Sequence, residues 1–189
     1  MKRLFFALPI PKDAVRKIEK YIAPFKADPL FSTAKWVTPE NYHLTLLFLG
    51  EIGDNLIPEV RQLARAVFNQ MTPFQLVLNK VLLFPPVENA HMVWLRGPQN
   101  LSFEEAKSQL NRFLFPCLAD KEKDTDEPIP HLTLCRLKDP VAKKAITFPP
   151  LLLDRLEINE CHLYESTLTP SGPVYTLVEE YKFCSGLNV

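Results

Sequence analysis

The four letters HLTL occur twice, in "ENYHLTLLFLG" (40–50) and in "IPHLTLCRL" (129–137). His131 follows His43 by 88 positions. The same offset carries "LFFALPI" (4–10) onto "MVWLRGP" (92–98), and both strand-like segments lead into helical patterns. A chain that runs strand, helix, HLTL strand twice at one spacing is constrained to a pseudo-two-fold architecture. Two repeats are too few for a solenoid but suit two similar lobes that face each other.

Residues two apart on a strand share a face. His43 and Thr45 therefore point one way, and Leu44, Leu46 and Phe48 point into a core. The second copy places His131 and Thr133 on one face, with Cys135 beside them, and Leu132 and Leu134 on the other. Arg136, five beyond His131, has the wrong parity for the polar face. Either a twist or bulge brings it round, or it serves structure. Two-fold placement brings both histidine–threonine pairs to one cleft.

The remaining elements follow from periodicity. Residues 12–25 carry apolar side chains at helical spacing, and a second helix has Leu56, Val60, Leu63, Ala64, Val67 and Met71 on one face, with Asp54 as its cap. Ser102 and Glu105 match a capping box before a third helix bearing Phe103, Ala106, Leu110, Phe113 and Leu114. "FQLVLNKVLLF" (74–84) and "LEINECHLYES" (156–166) each read as one long strand, and the second forms a hairpin with 174–183. The charged segment 119–128 reads as a solvated loop.

Composition narrows the function class. The 189 residues are 47% hydrophobic and 23% charged, ordinary for a globular chain. A net charge of zero argues against bulk neutralisation of long nucleic acid, while leaving room for a local basic pocket. Four cysteines without CxxC spacing read as free thiols of a reducing compartment, and the expected location is the cytoplasm. No apolar run approaches a membrane span in length. The N-terminal apolar run is broken by prolines and reads as a first strand, not a signal peptide.

Two imidazoles across a cleft suit in-line displacement at phosphorus. The attacking oxygen must lose a proton and the leaving oxygen must gain one. Histidine, with its ordinary pKa near 6.5, serves as base or acid at neutral pH. Threonine hydroxyls can donate to non-bridging oxygens, where charge accumulates. The bland alternatives are a duplicated structural strand and metal binding. Two histidines with no nearby carboxylate make a poor zinc set. Trp36 precedes the first motif and is a candidate for stacking on a base. His91, His162, Tyr164, Ser166 and Tyr175 read as surface or packing residues.

With "RLFFALPIP", "HLTLLFLGEI", "VWLRG", "PHLTLCR" and "LYESTLTPSGPVYTLVEEYKF" in order, the chain resembles the two-histidine phosphoesterases, whose signature is a pair of HxTx motifs. Within them it is most similar to the RNA 2',3'-cyclic phosphodiesterases, also called the 2'-5' RNA ligase family. The resemblance implies an α+β, bilobal, pseudo-two-fold fold over residues 1–189 as one domain. Two antiparallel sheets would flank a central cleft, with helices on the outer faces.

It implies His43 as proton donor to the leaving ribose 3'-oxygen and His131 as proton acceptor activating water. Thr45 and Thr133 would hold the phosphate, with Arg136 and Trp36 as further substrate contacts. The implied reaction opens a terminal 2',3'-cyclic phosphate to a 2'-phosphate, with reversible 2'-5' ligation as its reverse. No metal, cofactor, membrane or obligate protein partner is expected; the partners are RNA ends or small cyclic-phosphate nucleotides. Alternatives are cleavage of 2'-5' linked oligonucleotides or another small cyclic phosphate, and a non-catalytic module that binds RNA ends. Leu47 stands where many relatives carry a polar or basic residue, so a contact is expected to be missing there. The segment before the first motif and the 119–128 loop are expected to alter the cleft's approach.

Overall fold

Sequence-distant strands meet in two sheets, and the order in which they meet positions the site. The computed structural model describes residues 1–86, 90–118, 127–141, 146–170 and 172–184; most of the expected 119–128 loop lies outside them. Strand β1 (Lys2–Pro9) leads into α1 (Lys12–Lys26), a two-residue strand β2 (Lys35–Trp36) and the first motif strand β3 (His43–Ile52). Helix α2 (Ile57–Phe68), β4 (Phe74–Leu78) and β5 (Lys80–Phe84) complete the first half. The second half runs β6 (Ala90–Arg96), α3 (Leu101–Leu114), the second motif strand β7 (His131–Val141), β8 (Leu153–Ile158), β9 (Glu160–Thr169) and β10 (Gly172–Lys182).

The strands form a first sheet in the order β10-β9-β1-β3, a second in the order β2-β7-β6-β5, and a two-stranded ribbon β4-β8. All described pairings are antiparallel. Three α-helices and two four-stranded sheets make the fold α+β, as expected. Each sheet takes two strands from the other half of the chain: β9 and β10 in the first, β2 and β5 in the second. The expected long strands 74–84 and 156–166 are each two strands, broken at Asn79 and Asn159. Each begins in the shared ribbon and ends in a separate sheet. At the crossing, a Cβ on Gly97 would sit 2.0 Å from the Val77 carbonyl oxygen, so only glycine fits that approach.

The leucines of both motifs fill one continuous core. Leu44, Leu46, Leu132 and Leu134 are buried with Leu4, Phe6, Leu8, Ile18, Ile22, Phe68 and Leu110. Helix α1 buries Ala14, Ile18 and Ile22, the expected apolar face. Two caps differ from expectation. Helix α2 begins at Ile57 without a side-chain cap, and Asp54 instead pairs with the terminal amine at 3.2 Å. Helix α3 is capped by Asn100, whose side chain accepts from the Phe103 N–H at 3.0 Å, two residues before the expected box. Phe113, expected on the apolar side, stands exposed under the Arg112 guanidinium. The four cysteines are free thiols. No described helix is long and apolar enough to cross a membrane.

Candidate active site

The pseudo-symmetry extends to hydrogen-bond register. In the first sheet Pro9, Leu8 and Ala7 lie opposite His43, Leu44 and Thr45. In the second, Arg96, Leu95 and Trp94 lie opposite His131, Leu132 and Thr133. The first strand of each repeat is thus related by 87 residues, one fewer than the offset of the motifs, because Pro9 corresponds to Arg96. Both pairings then slip at the same point. The partner of Phe6 is Leu47 and that of Val93 is Cys135, so Leu46 and Leu134 are the extra residues of two equivalent bulges.

The bulges change which side chains see the cleft. Leu47 and Cys135, next after the extra residues, are both wholly buried. Cys135 therefore does not line the cleft as parity suggested, and its burial pushes the thiol pKa up to about 12. Leu47 lies in the core, so its apolar side chain removes nothing from the cleft. Phe48 and Arg136 rotate onto the faces of His43 and His131 instead. Phe48 is 40% exposed, under the Arg3 guanidinium at 4.8 Å, which corrects its expected place in the core. For Arg136 the bulge alternative is the one realised.

Each histidine is held in the same way. His43 Nδ1 lies 2.7 Å from the Asn41 carbonyl oxygen, and His131 Nδ1 lies 2.9 Å from that of Ile129. A carbonyl only accepts, so Nδ1 carries the hydrogen in both rings. A neutral imidazole in that tautomer has its lone pair on Nε2, on the far side of the ring. Both rings thus present the same nitrogen for proton transfer. The lobes bring them within reach of each other's charge: burial lowers the His43 pKa most, the Asn41 carbonyl opposes that, and the positive charge that His131 can carry lowers it further.

The packing around the two rings differs. His43 meets Tyr175 edge to face at 5.2 Å and Phe5 at 5.2 Å, and Phe5 stacks on Tyr164 at 5.5 Å. His131 lies flat on Trp94, centroids 3.9 Å apart and planes 17° apart, and Trp94 in turn stacks on Phe84. Sequence reasoning missed Trp94 and took Tyr164 and Tyr175 for hairpin packing. The offset of 87 would have found Trp94, because it sets that residue beside Thr133.

The cleft faces are basic although the chain is neutral overall. Register puts Lys35 beside Arg136, Arg96 beside His131, and Lys80 beside Arg96. Burial raises the Tyr175 pKa, and the charges of Arg136 and Arg3, one from each sheet, oppose that rise, so both sheets bring positive charge within electrostatic reach of this hydroxyl. Trp36 takes the other side. It lies opposite buried Cys135 and packs on Phe31 at 5.7 Å, away from the His131 face. His162 is buried, with Nδ1 2.9 Å from the Tyr164 hydroxyl and Nε2 3.3 Å from Glu160. His91 is exposed.

Comparison with known proteins bears on this geometry. A family model described as LigT-like phosphoesterase matches residues 8–94, which contain the first motif. An RNA 2',3'-cyclic phosphodiesterase of Thermotoga maritima is 30% identical, over 98% of this chain and 97% of its own. One of Aquifex aeolicus is 31% identical, over 78% of this chain and 80% of its own. The chain belongs to the LigT-like phosphoesterase family. As a phosphoesterase it is a hydrolase, and its fold agrees. A crystal structure from Thermus thermophilus superposes with a TM-score of 0.83 at 28% identity, covering 98% of this phosphoesterase and all of that chain.

Proposed function

We propose that this phosphoesterase opens terminal 2',3'-cyclic phosphates of RNA to 2'-phosphates. The observation that carries the proposal is the pair of histidines on two facing sheets, both fixed through Nδ1 and both beside a threonine. The relatives named as RNA 2',3'-cyclic phosphodiesterases supply the bond to be broken.

Water attacks phosphorus opposite the 3'-oxygen, and its proton passes to Nε2 of His131. The bond from phosphorus to the 3'-oxygen breaks, and Nε2 of His43 protonates the departing oxygen. Thr45 and Thr133 donate to the non-bridging oxygens, and Arg136 balances their charge. The product keeps its phosphate on the 2'-oxygen. With a ribose 5'-hydroxyl attacking in place of water, the same displacement forms a 2'-5' linkage and frees the 3'-hydroxyl; its reverse cleaves that linkage and restores the cyclic phosphate. The reaction needs no cofactor in this scheme, and RNA ends are the partners.

The test is a short RNA with a 2',3'-cyclic end, incubated with and without EDTA and followed by phosphorus NMR. A 2'-phosphate under both conditions is expected. A 3'-phosphate would reverse the assigned geometry, and binding without turnover would make the chain an RNA-end-binding module. His43→Ala and His131→Ala should each lower kcat by about 10²–10⁴ while the circular dichroism spectrum stays native. Near-normal rates in either variant would refute the shared cleft.

A further inference from the structure

The two histidine–threonine pairs occupy equivalent places, yet the residues opposite the threonines in register are Ala7 in one lobe and Trp94 in the other. We propose that Trp94 is a positioning residue: its indole face holds the His131 ring and stabilises the imidazolium formed when that ring takes a proton. The inference rests on the proposed role of His131 as base.

Several cations lie around His131 among the described residues. It faces His43 from β3, Arg96 from β6 and Lys80 beyond it from β5, with Arg136 on its own strand and Lys35 on β2. Glu127, the acid nearest in sequence, contacts the Gln99 amide at 3.3 Å. Like charges disfavour a new cation. An aromatic face attracts one, and an indole does so best. Trp94 lies parallel to His131 at 3.9 Å, and Phe84, on strand β5 from the other half of the chain, backs the indole at 11°. The indole N–H is buried without a hydrogen-bond partner among the described residues. A phenylalanine would avoid that cost but offer a weaker π face.

The test follows the His131 ring by NMR titration in ligand-free protein, alongside the pH profile of kcat/KM. Trp94→Leu should lower the His131 midpoint by about half a pH unit or more and move the acid limb of kcat/KM down with it. The expected loss is in kcat, with KM changed less than about two-fold. Trp94→Phe should fall between the two proteins. Fluorinated tryptophans, incorporated in a Trp36→Phe background, weaken the π face without changing its shape, so they serve if Trp94→Leu does not fold. Stepwise lowering of the midpoint with fluorination supports the inference, and an unmoved midpoint overturns it. A wild type inactive on cyclic phosphate would refute the proposed function, while the titration would still decide what Trp94 does.

Discussion

The general acid proposed here must carry its proton when substrate arrives, and His43 is placed in the free protein to lose it. Burial, then the charge of His131, holds its pKa below the ordinary 6.5. A phosphodiester anion in the cleft reverses that balance, because a nearby negative charge favours the imidazolium. The alkaline limb of kcat should therefore lie at higher pH than that of kcat/KM, since the first reports the complex and the second the free enzyme. Coincident limbs would remove His43 from the acid role. The same depression has a consequence for stability. Between the folded and unfolded values the unfolded chain binds more protons, so stability is full above about pH 6.5 and falls as pH drops. Denaturant midpoints should decline over that range in the wild type and decline less in His43→Gln. At this scale parity set His43 with Thr45, and His131 with Thr133, on one face of each motif strand from letters alone. It failed one step later, at Phe48 and Arg136. A bulge is a property of the pairing with β1 or β6, and the motif strand itself carries no sign of it.

Elements were legible where their chemistry is local. The face of α1 buries the residues its spacing selects. Caps were less legible, because Ser102-x-x-Glu105 satisfies the capping-box pattern while the chain turns earlier, at Asn100. Asn100 also donates its side-chain amide to the Gln75 carbonyl at 3.1 Å, a bond to another element that no local pattern contains. The two assignments predict opposite results. Asn100→Ala should cost about 0.5–2 kcal/mol in urea unfolding, and Ser102→Ala should be close to neutral. The reverse order would restore the box. The strands 74–84 and 156–166 looked continuous because each carries apolar residues throughout. Their breaks at Asn79 and Asn159 come from a division of partners between the ribbon and a sheet.

For the whole molecule, duplication was legible but exchange was not. Two similar repeats suggest two lobes, each built from its own half. The sheet orders show otherwise, since β1 needs β9 and β6 needs β5. Leu4 and Phe6 on β1 share the core with Leu163 on β9, and Val93 and Leu95 on β6 share it with Leu83 on β5. The stack under His131 is also divided, with Phe84 from one half and Trp94 from the other. A half made alone leaves a sheet edge unpaired and a run of buried leucine and phenylalanine uncovered, which favours aggregation over folding. Fragments of residues 1–88 and 89–189 should therefore be unfolded or aggregated separately, by circular dichroism and gel filtration. Produced together, they should associate one to one and recover turnover of the cyclic-phosphate RNA, because each supplies the two strands the other's sheet lacks. A folded monomeric fragment would mean that the exchanged strands are dispensable, and the chain would then be two domains sharing one cleft.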